Sequence, residues 1–347
     1  MFNKKHFLSF ISLFLLFALV GCFNQSNNND SEDTSVTKLR SEQDIPYIGF
    51  AMDTLQDERW YRDKDYFEQK VQSLGGNVKT LAANGIHDVQ VEQVELLIEE
   101  GIDILVIIPA DSEASAEIVE LAHQADVPVI SYDKLVLNAD LDYYISFDNV
   151  KVGELQASAI LEEVDEGDFA YVGGADNDNN AHLFKEGAMN VLQPYIDSGD
   201  INLVYDQFTP GWSPDEAEAM FGSFLENNQQ VDAVVAANDG TAGGVIQALN
   251  AQNLTVPISG QDAELDAIRR IQDGTQTMTV YKSLEQIAET AAETAMRLAN
   301  GETIETDSTM NNNNIDVPSI LLDPITITSN NIDETVIADG HIDADDL

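Results

Sequence analysis

The chain is predicted to be an α/β protein of two units, each a parallel sheet covered by helices on both faces. Two observations carry that prediction. Short apolar runs without polar alternation are separated by amphipathic stretches, the pattern of strands buried on both faces. The same alternation then starts afresh after Asp148, which makes a second unit out of about as much chain as the first.

The elements follow in order. Tyr47-Ile48-Gly49-Phe50-Ala51-Met52 reads as a buried strand, and Glu58 to Leu74 as a helix stopped by Gly75-Gly76. Asn77 to Leu81 is the next strand and Val89 to Glu100 a helix ended by Gly101. Ile104 to Pro109 is a continuous apolar strand, Ser112 to Gln124 a helix, and Pro128 to Tyr132 a strand. In the second unit the predicted helices are Val152 to Glu163, Ala181 to Leu192, Asp215 to Asn227 and Thr241 to Asn250. Its strands are Asp168 to Val172, Ile201 to Tyr205, Val231 to Ala236 and a short one at Pro257 to Gly260.

Ahead of these elements the composition changes. Lys4 and Lys5 precede an apolar run from Phe7 to Val20 that ends in Leu19-Val20-Gly21-Cys22. A basic start, a short apolar stretch and a small residue before the cut are the marks of a secretory signal, and the run is short for a bilayer span. Leu-Val-Gly-Cys also resembles the lipobox of bacterial lipoproteins, which implies a signal peptide over 1–21 and acylation of Cys22, the chain's only cysteine. Residues 22–44, with Asn27-Asn28-Asn29-Asp30, have the polar composition of a flexible tether, and order is expected from about Ile45. No second long apolar run follows.

The charge is extreme. Sixty-two acidic residues against 16 basic ones give −46, and removing residues 1–21 takes away Lys4 and Lys5 but no acid, giving −48. Such a body repels nucleic-acid phosphate and anionic lipid headgroups, which excludes both as direct partners. The acids recur along the whole chain while 44% of residues are hydrophobic, so the pattern is that of a folded body with an acidic surface. At molar salt the Debye length shrinks to about 3 Å and most self-repulsion vanishes, which points to a salty or alkaline habitat.

In doubly wound sheets ligands sit beyond the carboxyl ends of the strands. The residues there are Arg59 and Trp60, Asp133 and Lys134, and Asp178 to Asn180 after the Gly173-Gly174 turn. The later part of the chain adds Trp212, Asn238 and Asp239, Asp262 and Lys282. Carboxylates, amides and basic groups serve the neighbouring hydroxyls of a neutral polyol, and an indole covers the C–H face of its ring. Taken singly, an Asn or Asp after a strand is as readily a helix cap; the repetition in both units is what points to a ligand.

These residues carry a family resemblance. Ile48 to Asp53 with Glu58-Arg59-Trp60, Val106 to Pro109, Ser131-Tyr132-Asp133, and Tyr144 to Asn149 with Lys151 to Ala157 resemble the D-xylose-binding proteins of bacterial ABC transporters. So do Asp178 to Ala181, Asn238-Asp239, Thr241 to Gly244, Ser259 to Ala263 and Gly274 to Lys282, and the likeness runs from about Ile48 to the C-terminus. It implies the type I periplasmic-binding-protein fold, two Rossmann-like lobes joined by a three-segment hinge, with sugar in the cleft. The crossovers then fall at Asp148-Asn149, Tyr281-Lys282 and Leu322-Asp323-Pro324. One lobe is expected from 45–148 plus 283–323, the other from 149–282 plus 324–347.

Carried over by position, the resemblance implies sugar contacts from Arg59, Asp133, Lys134, Asp178, Asn180, Asn238, Asp262 and Lys282, with Trp60 and Trp212 as stacking aromatics. Lys134 stands where the family usually has Arg, and Gln56 replaces a basic residue. A Lys cannot reproduce the bidentate fork of Arg. The implied function is an extracytoplasmic, lipid-anchored, monomeric receptor that delivers a monosaccharide, D-xylose above others, to an ABC permease. A sugar sensor for a chemoreceptor or sensor kinase, or a receptor for another pentose or hexose, is the alternative.

Catalysis is disfavoured. His6, His87, His123, His182 and His341 lack metal-ligand spacing and have no Cys partner in the mature chain beyond Cys22, so neither metal nor cofactor is implied. Gly173-Gly174 lacks the full dinucleotide-binding spacing. A sugar-sensing repressor of the same architecture would need an N-terminal helix-turn-helix in place of the apolar leader and Asn-rich segment.

Overall fold

The computed structural model describes residues 45–56, 58–227 and 230–347. The expected signal peptide (1–21), the tether (22–44) and Cys22 lie outside the described residues.

The first part of the chain forms β1 (Tyr47–Met52), α1 (Glu58–Ser73), β2 (Asn77–Ala82), α2 (His87–Glu100), β3 (Ile104–Ile107), α3 (Ala116–Gln124), β4 (Val129–Tyr132) and β5 (Tyr143–Phe147). There follow α4 (Asn149–Glu163), β6 (Gly167–Gly173), α5 (Asn179–Ser198), β7 (Ile201–Phe208), α6 (Pro214–Glu226), β8 (Ala233–Ala236), α7 (Asp239–Ala251), α8 (Leu265–Gln272) and β9 (Thr279–Tyr281). The last elements are α9 (Leu284–Ala299), β10 (Ser308–Asn311), β11 (Asp316–Leu322) and β12 (Ile325–Ile327).

The predicted α/β class holds, with sheets of unequal size. One has seven strands in the order β10-β11-β5-β4-β3-β1-β2, parallel except for the antiparallel edge β10. A three-stranded parallel sheet, β7-β6-β8, and an antiparallel pair, β12-β9, make up the rest. Strands β3, β4 and β8 are buried at every position, in keeping with sequences that are apolar throughout in β3 and β8 and interrupted only by Ser131 in β4. Helix α9, which the strand-helix pattern left unassigned, lays Ile287, Ala288, Ala291, Ala292 and Ala295 against Ile48, Phe50, Val106 and Ile145 of the large sheet. The i, i+1, i+4, i+5, i+8 spacing of those alanines and isoleucine is one helix face.

Among the boundaries that differ from the sequence pattern, three bear on the local structure. Helix α3 begins at Ala116 because Ser112 is engaged elsewhere: its N–H donates to Asn177 O, and its O accepts from Leu137 N. Asp111 Oδ1 meanwhile takes the N–H groups of Glu113 and Ala114 in a turn. Helix α5 runs through Pro194, which costs one ladder bond, and ends at Gly199 in the left-handed conformation (φ 84°). Pro257 to Gly260 makes only a single bridge, Ile258 to Val234. Its other bonds are mixed: Thr277 Oγ1 accepts from Ile258 N and Ser259 Oγ from Ala236 N, while Thr277 N donates to Ile258 O and Val280 N to Gly260 O.

In both larger sheets the first strand is flanked by its second on one side and its third on the other. β1 lies between β2 and β3, and β6 between β7 and β8. Each arrangement is a topological switch point, where adjoining loops diverge and leave a crevice. The segments around Asp148, Lys282 and Asp323 lie close together: Asp148 N donates to Leu322 O at 3.0 Å, and Ile325 pairs with Tyr281.

Candidate ligand-binding site

The loops beyond both switch points converge on one cavity of about 280 Å³, at the small end of ligand-pocket sizes. All ten residues named from the sequence line it: Arg59, Trp60, Asp133, Lys134, Asp178, Asn180, Trp212, Asn238, Asp262 and Lys282. Asp53, Phe184 and Gln261 also line it and were not assigned a contact from the sequence. Asp53 directly follows β1, so the strand-end rule could have found it. Phe184 sits four residues after Asn180 on the same face of α5, a signal that core packing mimics.

Arg59, on the first turn of α1, is the centre of the site. Its Nη2 donates to Asp133 Oδ2 at 2.8 Å, its Nη1 to Asp262 Oδ1 at 3.2 Å and its Nε to Asp63 Oδ2 at 3.5 Å. The guanidinium lies 4.2 Å from the Trp60 ring centroid, so the two side chains hold each other in place. Burial alone would raise Asp133, but Arg59 foremost, with Lys282 and Lys134, holds it down at about 2.

Lys134 forms a second centre. Its Nζ lies 2.8 Å from Asp53 and 3.4 Å from Asp178, and although burial works against its charge, those carboxylates raise its pKa. Lys282 is 2% exposed, with its Nζ 3.6 Å from Asp262 and over the faces of Phe184 (5.6 Å) and Phe147 (5.9 Å). The ammonium in place of a guanidinium at Lys134 thus keeps two carboxylate partners but acts as a point charge.

The capping account of Asn and Asp after strands holds in part. Asp178 Oδ1 accepts from Asn180 N at the start of α5, while its Oδ2 accepts from Trp212 Nε1 at 3.2 Å. Asn238 Oδ1 caps α7 through Thr241 N at 2.9 Å, so its amide NH₂ is the group left for a ligand. Asn180 serves no cap: Nδ2 donates to Asp133 O and Oδ1, and its own Oδ1 accepts from Asn149 Nδ2.

Backbone strain gathers here. Asp133 (φ 60°), Trp212 (φ 58°) and Asp262 (φ 96°) all adopt positive φ, which is uncommon outside Gly and is held only where surroundings over-determine it. Trp212 is held by packing as well. A Cβ at Gly174 would stand 2.0 Å from the indole Cη2, so only Gly lets the ring lie across that turn. Phe184 meets Trp212 edge to face with centroids 6.2 Å apart.

Comparison with known proteins agrees with this geometry. A family model described as "Periplasmic binding protein domain" matches residues 48–303. The chain is 51% identical over 296 residues to the D-xylose-binding periplasmic protein of Escherichia coli, covering 84% of this chain and 90% of that one. The D-xylose-binding periplasmic protein of Haemophilus influenzae is 48% identical, with 84% and 89% covered. Among solved structures, an ABC transporter solute binding protein from Clostridium phytofermentans with bound β-D-glucose superposes with a TM-score of 0.82 at 29% identity, covering 87% of this chain and 99% of that one. With fold, cleft and sequence in agreement, the chain belongs to the periplasmic binding protein family.

Proposed function

We propose that this protein captures a monosaccharide, D-xylose above other sugars, in the cavity around Arg59, and delivers it to an ABC permease without chemical change. The observation that carries the reading is the composition of the lining. Three cations (Arg59, Lys134, Lys282) and four carboxylates (Asp53, Asp133, Asp178, Asp262) are interleaved with amides and two indoles in about 280 Å³. The cations are already paired with carboxylates, and the surplus charge is negative, so a sugar phosphate or uronate would meet repulsion. A neutral ring with adjacent hydroxyls can donate to the carboxylates and accept from the remaining N–H groups. Similarity to two D-xylose-binding proteins supports the choice of sugar.

In this reading 45–148 with 283–323 form one lobe and 149–282 with 324–347 the other, flexing about the three connections. Sugar held from both sides favours the closed form by its differential affinity. Contacts that would bridge such lobes support it: Arg59 to Asp262, Lys134 to Asp178 and Asn180 to Asp133. The leader, Cys22 and the Asn-rich segment complete the proposal as signal, lipid anchor and tether of a monomer.

Titration calorimetry of residues 22–347 against xylose, ribose, arabinose, galactose and glucose tests the assignment. Submicromolar xylose binding, with the others much weaker, is the expected result, and absence of pentose binding at low and at high salt defeats it. Trp212→Ala is expected to weaken xylose about tenfold, the size of a lost aromatic contact, with the melting temperature little changed; affinity within twofold of wild type would remove Trp212 from the stacking role. The acidic surface is proposed as salt adaptation. Melting temperature should then rise with NaCl toward molar concentration, and a flat or falling curve counts against it.

A further inference from the structure

Beneath the cavity wall lies a carboxylate that no ligand would touch. Asp63, one turn along α1 from Arg59, is fully buried and does not line the cavity. Its Oδ2 faces Arg59 Nε, and its Oδ1 accepts from the Tyr132 hydroxyl. Tyr132 ends β4 and is itself fully buried, set edge to face against Phe50 with centroids 5.6 Å apart. An acid in the apolar interior between α1 and β4 is costly unless it is paired, and nothing in the packing of Phe50, Phe67 and Val71 calls for one.

Its geometry gives it a task. A guanidinium has five N–H groups in a rigid plane, and only one is on Nε. With that one directed at Asp63, the plane is set, and each Nη keeps a second N–H beyond those given to Asp133 and Asp262. We propose that Asp63 is a positioning residue for ligand capture: its buried carboxylate aims the Arg59 fork into the cavity, and protonation releases that aim. The inference rests on the sugar-receptor reading for its ligand.

The charged and titratable groups facing Asp63 are Arg59 on its own helix, Tyr132 and Asp133 at the end of β4, and Lys282 after β9. Burial dominates and raises Asp63 to about 6, although Arg59, Tyr132 and Lys282 act to lower it. Asp133, held at about 2, stays ionised throughout mildly acid conditions. Binding should therefore weaken as pH falls through the range where Asp63 takes up a proton.

The test measures xylose affinity by calorimetry from about pH 8 to about pH 5 for wild type, Asp63→Asn and Tyr132→Phe. Wild type should weaken about tenfold on acidification, while Asp63→Asn should be about tenfold weak at the top of the range and nearly flat across it. Tyr132→Phe deprives the carboxylate of a donor, so its affinity should fall at a higher pH than wild type. In the sugar-free protein, a Trp212→Phe background isolates Trp60 emission, which should change as Asp63 takes up its proton and the stacked Arg59 shifts, and should lose that transition in Asp63→Asn. Asp239, raised to about 7 mainly by burial, and His341 also titrate in the interior; the difference between wild type and Asp63→Asn removes their contribution.

An Asp63→Asn protein that binds within twofold of wild type along a parallel pH curve overturns the proposal. If that variant does not fold, an unshifted Tyr132→Phe midpoint overturns it and an upward shift supports it. If wild type binds no sugar at all, the receptor reading fails, and the Trp60 transition still decides whether Asp63 positions Arg59.

Discussion

Arg59→Met should abolish measurable xylose binding and lower the unfolding free energy by about 3–5 kcal/mol at neutral pH, the cost of stripping a buried charge cluster of its partner. Three carboxylates, on Asp63, Asp133 and Asp262, face this one guanidinium. Met has a similar reach but supplies no charge, so Asp133 loses the group that chiefly offsets its burial. The sign of the pH dependence follows. In wild type the Asp133 pKa is depressed to about 2, so its stabilising contribution is present above the unfolded value of about 3.9 and is lost as pH falls through the folded one. The variant lacks that contribution, and the gap between the two proteins should hold from neutral pH to about 4 and narrow below it, toward the folded value of about 2. Urea unfolding at about pH 7 and about pH 3 measures it. A loss below about 1 kcal/mol at pH 7 would mean that the carboxylates find other compensation.

Gly153→Val is expected to destabilise the protein and weaken binding by a different route. Gly153 lies in α4 where it crosses α5, and a Cβ there would stand 1.9 Å from Phe184 O and 2.7 Å from Ala188 N. The obstacles are backbone atoms, which cannot rotate aside as a side chain can, so the helices must separate. Gly187 faces the same crossing from α5, its would-be Cβ 1.9 Å from Val150 O, so neither helix has slack to offer. Overpacking of this kind costs about 1–3 kcal/mol or more. Because α4 and α5 carry Asn149 and Asn180 at their first turns, spreading them should pull Asn180 from Asp133 and weaken sugar at least tenfold. Thermal melts and calorimetry read the two effects separately. A variant with wild-type melting temperature and affinity would show that the crossing can widen freely.

Much of the site was legible in the sequence because strand ends are legible. Continuous apolar runs mark buried strands, and in a doubly wound sheet the residues after them share a crevice, which is how Asp133, Lys134, Asp178 and Asn238 could be named before their contacts were known. Phe184 was hidden because an aromatic on the inner face of a helix has the same pattern whether it packs core or lines a cavity. Asp63 was hidden for the opposite reason: among 62 acidic residues nothing marks the few that are buried. Helix α9 belongs to the large sheet although more than half the chain separates it from β1, a partnership that local pattern cannot express.

The sequence by itself determined the α/β alternation, the acidic charge and the residue types at the strand ends, since each depends on local order or composition. Tertiary structure alone decided the allocation of partners: that Arg59 serves Asp63, Asp133 and Asp262 together, that Asn238 spends its oxygen on a helix cap, and that Trp212 lies across Gly174. Those depend on distances between atoms far apart in the chain, set only when both sheets have packed and their diverging loops are held against each other.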